Sequence, residues 1–404
     1  MIGTVIRRLA GLAFWLATAT LAATYALIPA VILARGRIAK RPVAAADVTP
    51  SVSIVIAAYN EEASIGRKLD SLHALDYPRD CVEILVASDG STDRTATIVR
   101  GHADRAVRLL DLGRVGKAAA LNAAIAAATG DIVVFSDANS LFEPGTLRAL
   151  VRPFADPAVG GVAGDQRYHP GGEAGAMAGG ERDYWDLDRQ LKVAESAAGN
   201  VVSATGAIYA LRRDLVPLVV EGVTDDFWTS TAVIEAGRRL VFAGDAAAWE
   251  PVASSGGVEY GRKVRIMTRG LRGVVARRSL LDPRRTGFYA TQLLWHKLLR
   301  RLMVLPLLVV AVASPLAGPG WVYRLATLAQ AAFYGLAAIG LAGRDRPGRR
   351  SRLVTLPAYF CLVNAAALHA VWNVLSGRRI DRWETQRATR PPDAPTDPGA
   401  ETDR

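Results

Sequence analysis

The chain has 404 residues, and half of them are hydrophobic, which is high for a soluble protein and low for one buried wholly in lipid. This balance predicts a water-soluble block of domain size with membrane segments attached to it. The net charge is +11, and the basic residues cluster beside apolar runs, as in membrane proteins that collect Lys and Arg in cytoplasmic loops. Nucleic acid is therefore not expected as a partner. The two cysteines lie in different segments, which excludes a disulfide framework and a cysteine metal site.

The N-terminal region contains a charge-free apolar run over residues 9–34. A bilayer core of about 30 Å needs about 20 helical residues, so this run is long enough to span it. The run is also longer than the apolar part of a cleaved signal peptide, which favours an uncleaved anchor. Basic residues are denser in the following linker, residues 35–49, than in the tail of residues 1–8. The downstream block is therefore expected in the cytoplasm.

Residues 50–250 alternate between β-branched runs and helical patterns. Strands are predicted at residues 51–58, 82–87 and 131–136, and helices at residues 63–75, 91–101 and 117–128. This alternation is typical of an α/β domain with a mostly parallel sheet that is covered on both faces. In such sheets, ligands bind beyond the carboxyl ends of the strands.

Polar side chains follow the three predicted strands, and they are expected to converge at one edge of the sheet: Asn60, Asp89 and Asp137. Asp137 and Asn139 stand at alternate positions of an expected extended tip, where two oxygen ligands suit Mg²⁺ or Mn²⁺ bound to phosphates. A turn or a helix cap is the alternative interpretation. Lys117 opens a helix without a P-loop pattern, so it is either a diphosphate contact or a surface lysine.

Two adjacent acids, Asp225 and Asp226, precede an apolar helix and are followed by Phe227 and Trp228. A helix cap accounts for one of them. A carboxylate that is partly desolvated beside an aromatic wall is suited to accept a proton. The pair therefore predicts a general base.

The C-terminal half turns basic and then apolar. Residues 251–301 have the spacing of amphipathic helices at a membrane surface, and residues 302–377 contain three apolar runs that predict two to three transmembrane or re-entrant helices. Three crossings would leave the tail of residues 378–404 outside, whereas its arginines favour the inside, so one run is expected to be re-entrant or interfacial. The end of the tail is polar and rich in proline, which predicts disorder.

The order of these motifs resembles the membrane-bound family 2 glycosyltransferases, which include cellulose, hyaluronan and poly-N-acetylglucosamine synthases. The resemblance covers residues 50–301 and rests on VSIVIAAYNEE (52–62), SDGSTD (88–93), GKAAALN (116–122), DAN (137–139), GAIYALRR (206–213) and TDD (224–226). It implies a GT-A fold, a nucleotide-sugar donor that is most often UDP-linked, and inversion at the anomeric carbon. It also implies a multi-pass protein of the cell membrane with a cytoplasmic catalytic domain.

The resemblance also implies roles for individual residues. Asp226 stands at the position of the catalytic base, with Asp225 beside it, and Asp137 with Asn139 at that of the ligands of Mg²⁺ or Mn²⁺. The implied donor-binding residues are Ala58, Tyr59, Asn60, Glu62, Asp89, Lys117, Asp137, Arg262 and Arg265. The residues expected to contact the acceptor are Gly206, Ala207, Tyr209 and Trp228.

The chain departs from the family pattern at two places. Asn139 is neutral where an aspartate is common, which predicts a weaker hold on the metal. The segment YGRKVR (260–265) replaces the family's Gln-x-x-Arg-Trp pattern, which weakens the expectation of processive polymerisation, and WETQR (383–387) only weakly resembles the C-terminal family segment. The acceptor is expected to be a glycan or a lipid-linked molecule. Two alternatives stay open: a polyprenyl-phosphate glycosyltransferase, and a non-enzymatic membrane receptor or transporter subunit. The sequence leaves protein partners open.

Overall fold

The computed structural model describes residues 2–103, 106–168, 178–251, 256–343 and 351–378. The expected disordered tail, the WETQR segment and most of the Arg-rich loop near residue 347 lie outside these residues. At the N-terminus, α1 (Ile2–Ala22) and α2 (Ile28–Ile38) are joined through a π-helical turn, so the helix extends beyond the predicted run of residues 9–34 at both ends. The flanking arginines are good helix formers, which explains the extension.

An eight-stranded sheet forms the centre of the soluble block. Its strands are β1 (Val52–Ala58), β2 (Val82–Asp89), β3 (Val107–Leu112), β4 (Ile132–Phe135), β5 (Leu141–Phe142), β6 (Val159–Tyr168), β7 (Tyr209–Arg212) and β8 (Arg239–Glu250). They lie in the order β3-β2-β1-β4-β7-β6-β8-β5. The first four are parallel, β7 is antiparallel to both neighbours, β6 and β8 are parallel, and β5 is antiparallel to β8.

The predicted mostly parallel sheet is confirmed, and its three predicted strands are β1, β2 and β4. The other strands were not predicted. β6 and β8 contain several glycine and alanine residues, and these residue types are depleted in strands, so local propensity gives little signal there.

Helices cover both faces of the sheet: α3 (Ile65–His73), α4 (Thr95–Arg100), α5 (Lys117–Ala127), α6 (Thr146–Val151), α7 (Ala178–Ala198) and α8 (Asp225–Glu235). Successive residues of β1 point to opposite faces, as the pleat of a strand requires. Ile54 and Ile56 pack with residues of α3, α4 and α6, whereas Val55 and Ala57 pack with residues of α5 and α8. This double coverage leaves the carboxyl ends of the strands as the place where polar groups gather.

The C-terminal half is helical: α9 (Gly256–Ala276), α10 (Pro283–Thr286), α11 (Phe288–Leu293), α12 (Arg300–Leu302), α13 (Val304–Leu316), α14 (Trp321–Ala342) and α15 (Arg352–Leu375). In the described part of the chain, three helices are long and apolar enough to cross a membrane: Gly3–Ile38, Trp321–Ala342 and Arg352–Leu375. A fourth candidate is the pair Phe288–Leu302 and Val304–Leu316, which is bent by 45°. This bend falls at the start of the first apolar run of the C-terminal half.

The amphipathic helix α9 packs along α15. The hydroxyl of Tyr260 lies 3.2 Å from Nδ1 of His369, and Arg272 donates to the backbone carbonyls of Gly377 and Arg378. The N-terminal helix joins the same group of helices, because the indole of Trp15 donates to the hydroxyl of Tyr323 in α14. These contacts connect α9, which also packs on α8, to the apolar helices.

Candidate active site

The carboxyl ends of three neighbouring parallel strands lie side by side. β1 stands between β2 and β4, with Ala58 in register with Ser88 and Val55 in register with Phe135. The residues that follow these strand ends therefore share one edge of the sheet. This is the convergence that the sequence predicts for Asp89 and Asp137.

Lys117 joins two carboxylates that come from distant parts of the chain. Its ammonium lies 3.1 Å from Oδ1 of Asp137, after β4, and 3.0 Å from Oδ2 of Asp225, at the start of α8. Burial opposes the charge of Lys117, but Asp137 and Asp225 outweigh it and hold its pKa above the usual value. Burial alone would raise the pKa of Asp225, and the charge and hydrogen bond of Lys117 lower it instead. These three groups therefore form one ion-paired cluster.

This cluster lines a small cavity beyond the ends of β1 and β4. The other lining residues are Val55, Ala57, Leu121, Phe135, Ser136, Gly206 and Tyr209. Gly206 leaves room for the carboxylate of Asp137, because a β-carbon at residue 206 would lie 2.8 Å from Oδ2 of Asp137. A side chain at this position would displace the carboxylate.

Asp226 differs in environment from its neighbour. Burial raises the pKa of Asp226, and the adjacent charge of Asp225 raises it further. Its Oδ1 accepts a hydrogen bond from the backbone N–H of Phe227 at 2.7 Å. Adjacent carboxyls whose pKa values are driven apart in this way are typical of acid–base sites, with the higher pKa on the better proton acceptor. Asp225 stays ionised beside Lys117, and Asp226 is the better proton acceptor of the two.

Asp89 is fully buried and bonds to the loop before α5. Its Oδ1 accepts from the backbone N–H groups of Val115 and Gly116, both at 2.7 Å, and its Oδ2 pairs with Arg114. Gly116 has a φ of +93°, which favours glycine. The contact of Asp89 with a nucleoside stays a prediction. In the structure, the carboxylate of Asp89 fixes the loop that presents Lys117.

The turn after β1, residues 59–62, contains predicted donor-binding residues and is hydrogen-bonded to the loop after β2. The side-chain oxygen of Asn60 accepts from the backbone of Thr92 at 2.8 Å, and Glu62 accepts from the backbone of Arg94 at 3.1 Å. The guanidinium group of Arg114 lies over the ring of Tyr59, 3.5 Å from the ring centroid. Ala58 is fully buried, so its side chain belongs to the core and only its backbone stands at the edge.

The residues predicted to contact the acceptor divide into two groups. Gly206 and Tyr209 line the cavity. Tyr209 is buried, with its hydroxyl 2.8 Å from Oγ1 of Thr229. Ala207 is also buried. Trp228 and the predicted base Asp226 are not among the lining residues. The indole of Trp228 donates to the carbonyl of Leu218 at 2.9 Å, and its contact with the acceptor stays a prediction.

The metal-ligand roles of Asp137 and Asn139 stay predictions, and only the local geometry of these two residues can be described. Asp137 lines the cavity, but Ala138 and Asn139 form a turn rather than the expected extended tip. The described residues contain no group of three or more His, Cys, Asp or Glu side chains that could hold a metal ion. A cation at this edge would therefore depend on oxygen atoms of a ligand as well as on Asp137, as is usual for Mg²⁺ bound to phosphates.

One arginine of α9, Arg269, lies close to the acidic pair. Arg262 and Arg265, predicted as donor contacts, both lie on α9 and are half-buried. One turn further, Arg269 donates to the carbonyl of Val223 at 3.0 Å, and its charge helps to lower the pKa of Asp225. Arg269 was missed from the sequence, although its spacing of four residues from Arg265 places both on one helix face.

Comparison with known proteins finds a family match for most of the region that contains the sheet. Residues 53–217 match the family described as Glycosyl transferase family 2. The match ends before Asp225, so the acidic pair lies outside it. Among curated relatives, the β-monoglucosyldiacylglycerol synthase of Synechocystis sp. is 38% identical over 28% of this chain and 25% of its own length. The poly-β-1,6-N-acetyl-D-glucosamine synthase of Staphylococcus aureus is 27% identical over 56% of each chain. The chain therefore spans a quarter to about half the length of these relatives.

A solved structure matches a larger part of the molecule. The mannosyltransferase PcManGT from Pyrobaculum calidifontis, in complex with GDP-Man and Mn²⁺, is 27% identical and superposes with a TM-score of 0.69. The match covers 91% of this chain and all of the other. The predicted GT-A fold is confirmed by this likeness. The same comparisons favour an enzyme over the receptor or transporter subunit that the sequence left open.

Proposed function

We propose that the chain, whose residues 53–217 match Glycosyl transferase family 2 and whose fold resembles that of a solved mannosyltransferase, is a glycosyltransferase that transfers a sugar with inversion from a nucleoside diphosphate sugar to a membrane-associated acceptor. The observation that carries the proposal is the ion-paired cluster of Lys117, Asp137 and Asp225, which brings distant segments together at the sheet edge. We assign the catalytic role to the soluble domain of residues 50–250.

The donor diphosphate is proposed to lie over the start of α5. Helix N-termini bind phosphates through their unpaired N–H groups and the positive end of the helix dipole, and Lys117 adds a positive charge there. Asp89 supports this arrangement by holding the N–H groups of Val115 and Gly116. A UDP-linked donor is the expectation from sequence, and the GDP-Man bound by the solved mannosyltransferase makes GDP-mannose the second donor to test.

A divalent cation, Mg²⁺ or Mn²⁺, fits this site through Asp137 together with donor phosphates. The chemistry of the ligand set supports it, since a half-exposed carboxylate is the kind of oxygen ligand that these ions take beside phosphates. A cation bound there would offset the charge of the leaving nucleoside diphosphate. Asn139 follows in the adjoining turn and is the second candidate ligand.

The acceptor hydroxyl is proposed to lose its proton to Asp226. The raised pKa of this carboxyl, caused by burial and then by Asp225, strengthens it as a proton acceptor. Asp225 stays ionised and holds Lys117 at the donor side. Attack by the activated hydroxyl from the face opposite the leaving group inverts the anomeric carbon.

The acceptor is proposed to be a glycan or a lipid-linked molecule that reaches Asp226 along α9. Two cations border this approach: Arg269, bonded to the carbonyl of Val223, and Lys297, which lies 5.3 Å from the ring centroid of Phe227. Cations beside the base favour an acceptor that carries a phosphate, so a polyprenyl phosphate is the second candidate. We place the protein in the cell membrane with the catalytic domain in the cytoplasm, from the basic residues after the first apolar helix.

The test uses membranes that contain the full chain and a panel of radiolabelled UDP- and GDP-sugars. We expect one donor to release its nucleoside diphosphate and to label a product. Organic extraction and sizing then separate a glycosylated lipid from a longer glycan. If the folded protein releases no nucleoside diphosphate from any donor, the proposed activity is wrong.

A further inference from the structure

Lys68, in the middle of α3, is fully buried. Lysine is almost never fully buried unless it is paired, because removing an ammonium from water costs free energy that only hydrogen bonds and counter-charges offset. Its Nζ donates to Oγ of Ser136 at 2.8 Å and to the backbone carbonyl of Ser140 at 2.5 Å. The same ammonium lies 3.5 Å from the ring centroid of Phe142. The surroundings therefore satisfy this lysine with specific partners.

The two acceptors of Lys68 lie at the two ends of the turn that carries the proposed metal ligands. Ser136 comes directly before Asp137, and Ser140 comes directly after Asn139. The ammonium group of Lys68 thus bonds to both ends of the five-residue segment from Ser136 to Ser140. Helix α3 therefore contacts the turn on both sides of Asp137 through this one side chain.

The same turn is connected further by the two serine hydroxyls. Oγ of Ser136 donates to the carbonyl of Ala207 at 2.8 Å, next to Gly206 at the cavity. Oγ of Ser140 donates to Oε1 of Glu250 at 2.5 Å. Glu250 ends β8, and its other oxygen accepts from Gln166 at 2.6 Å. The lysine therefore stands at the centre of a network that links the turn to the cavity wall and to β8.

The charges around Lys68 are consistent with this network. Burial lowers the pKa of Lys68, while the carboxylates of Asp137 and Glu250 act in the opposite direction. Burial raises the pKa of Glu250, and Asp137 raises it further. Lys68 thus lies between the carboxyl that is proposed to meet the cation and a second carboxyl that does not line the cavity.

We propose that Lys68 is a positioning residue of the donor site: it holds the turn of residues 136–140 so that Asp137 faces the cation-bound diphosphate. This inference rests on the proposed function. Lys68 does not line the cavity, so its effect passes through Ser136, Ser140 and Asp137. If Lys68 only stabilised the core, replacing it would lower the stability of the protein without changing how the folded protein binds a metal.

The experiment measures Mn²⁺ binding by electron paramagnetic resonance in the full chain, in the presence of UDP or GDP. Lys68→Met keeps the length of the side chain but removes both hydrogen bonds. We expect Mn²⁺ affinity to fall about tenfold or more, the loss typical of a hydrogen bond to a charged group. Val99→Ala is the control, because Val99 is buried in the same helical layer on α4 and should lower the melting temperature with Mn²⁺ affinity unchanged.

Three results would overturn the inference, and they are distinguishable. If Lys68→Met melts earlier but binds Mn²⁺ like the wild type, the lysine serves the core only. If Lys68→Met does not fold, Ser136→Ala replaces it, since it removes one acceptor, and unchanged Mn²⁺ affinity in that variant contradicts the positioning role. If the wild type itself binds no Mn²⁺ with either nucleotide, the metal step of the proposed function fails, and the positioning role fails with it.

Discussion

Replacing Asp226 with asparagine tests the assignment of the general base. Asparagine keeps an oxygen that can accept the hydrogen bond from the backbone of Phe227, so the local fold at the start of α8 should survive. The substitution removes only the negative charge and the capacity to take a proton. It also relieves the repulsion between Asp226 and Asp225 that helps to raise the pKa of Asp226.

The expected loss follows from the role of the group. General-base help contributes about 10²–10⁴ in rate, which corresponds to about 3–5 kcal/mol of activation free energy. The raised pKa of Asp226 makes it a stronger proton acceptor, so we expect kcat to fall about 10³-fold, in the middle of that range. The affinity for the donor should stay within about threefold of wild type, because the diphosphate contacts are assigned to Lys117 and Asp137.

Asp225→Asn is the matched comparison. It breaks the ion pair at 3.0 Å between side chains that are 18% and 21% exposed, which places the pair between a surface pair and a buried one. Surface pairs contribute about 0–1 kcal/mol and breaking a buried pair costs about 3–5 kcal/mol, so we expect about 1–2 kcal/mol, seen mainly as a KM for the donor raised about tenfold.

The assay combines nucleoside diphosphate release with calorimetric binding of the same nucleotide in the presence of Mn²⁺. The assignment of Asp226 as the general base is wrong if the kcat of Asp226→Asn stays within about threefold of wild type. It is also wrong if Asp225→Asn loses more kcat than Asp226→Asn does. Either result would move the base to Asp225 or out of α8.

Two further predictions test the electrostatics and the packing of the site. The rate should fall on the acid side as Asp226 takes up a proton, at a pH above the ordinary range of aspartate because its pKa is raised; a pH–rate profile of kcat should show this limb in wild type and lose it in Asp226→Asn. Gly206→Ala should place a methyl group 2.8 Å from Oδ2 of Asp137, and we expect metal-dependent activity to fall about tenfold or more with little change in melting temperature. Normal Mn²⁺ activation of Gly206→Ala would contradict that geometry.

The strands at the sheet centre could be predicted because β-branched runs dominate them. The predicted segments 51–58, 82–87 and 131–136 correspond to β1, β2 and β4 within two residues at each end. The second half of the sheet could not be predicted, because β6 and β8 are rich in glycine and alanine and are held by pairing with distant strands. Such long-range pairing has no local signature in the chain.

The site was predicted at the level of strand ends but not at the level of individual contacts. The parallel sheet predicted the place of Asp137 at the strand ends, whereas only the family resemblance placed the acids at residues 225–226 in the site. In the structure, Lys117 joins Asp137 and Asp225. The direction of each side chain could not be predicted. Asp89 turns to the loop before α5, and Trp228 turns to Leu218, because tertiary hydrogen-bond partners decide these orientations.

The residues that sequence analysis missed share one property: their partners lie far away in the chain. Lys68 bonds to residues 68 and 72 positions later, and Arg269 bonds to a carbonyl 46 positions earlier. Lys68 is one polar position on an amphipathic helix, and nothing in its local spacing distinguishes it from a solvated lysine. Only the tertiary structure shows its contacts with Ser136 and Ser140.

The most direct test of the central claim is the metal dependence of nucleoside diphosphate release in wild type and in Asp137→Ala. We expect wild-type membranes to release nucleoside diphosphate from a donor sugar only with Mg²⁺ or Mn²⁺, and Asp137→Ala to need about tenfold more Mn²⁺ or to fail to respond to it. A wild-type rate that does not depend on either cation, or an Asp137→Ala variant with the wild-type Mn²⁺ response, would contradict it.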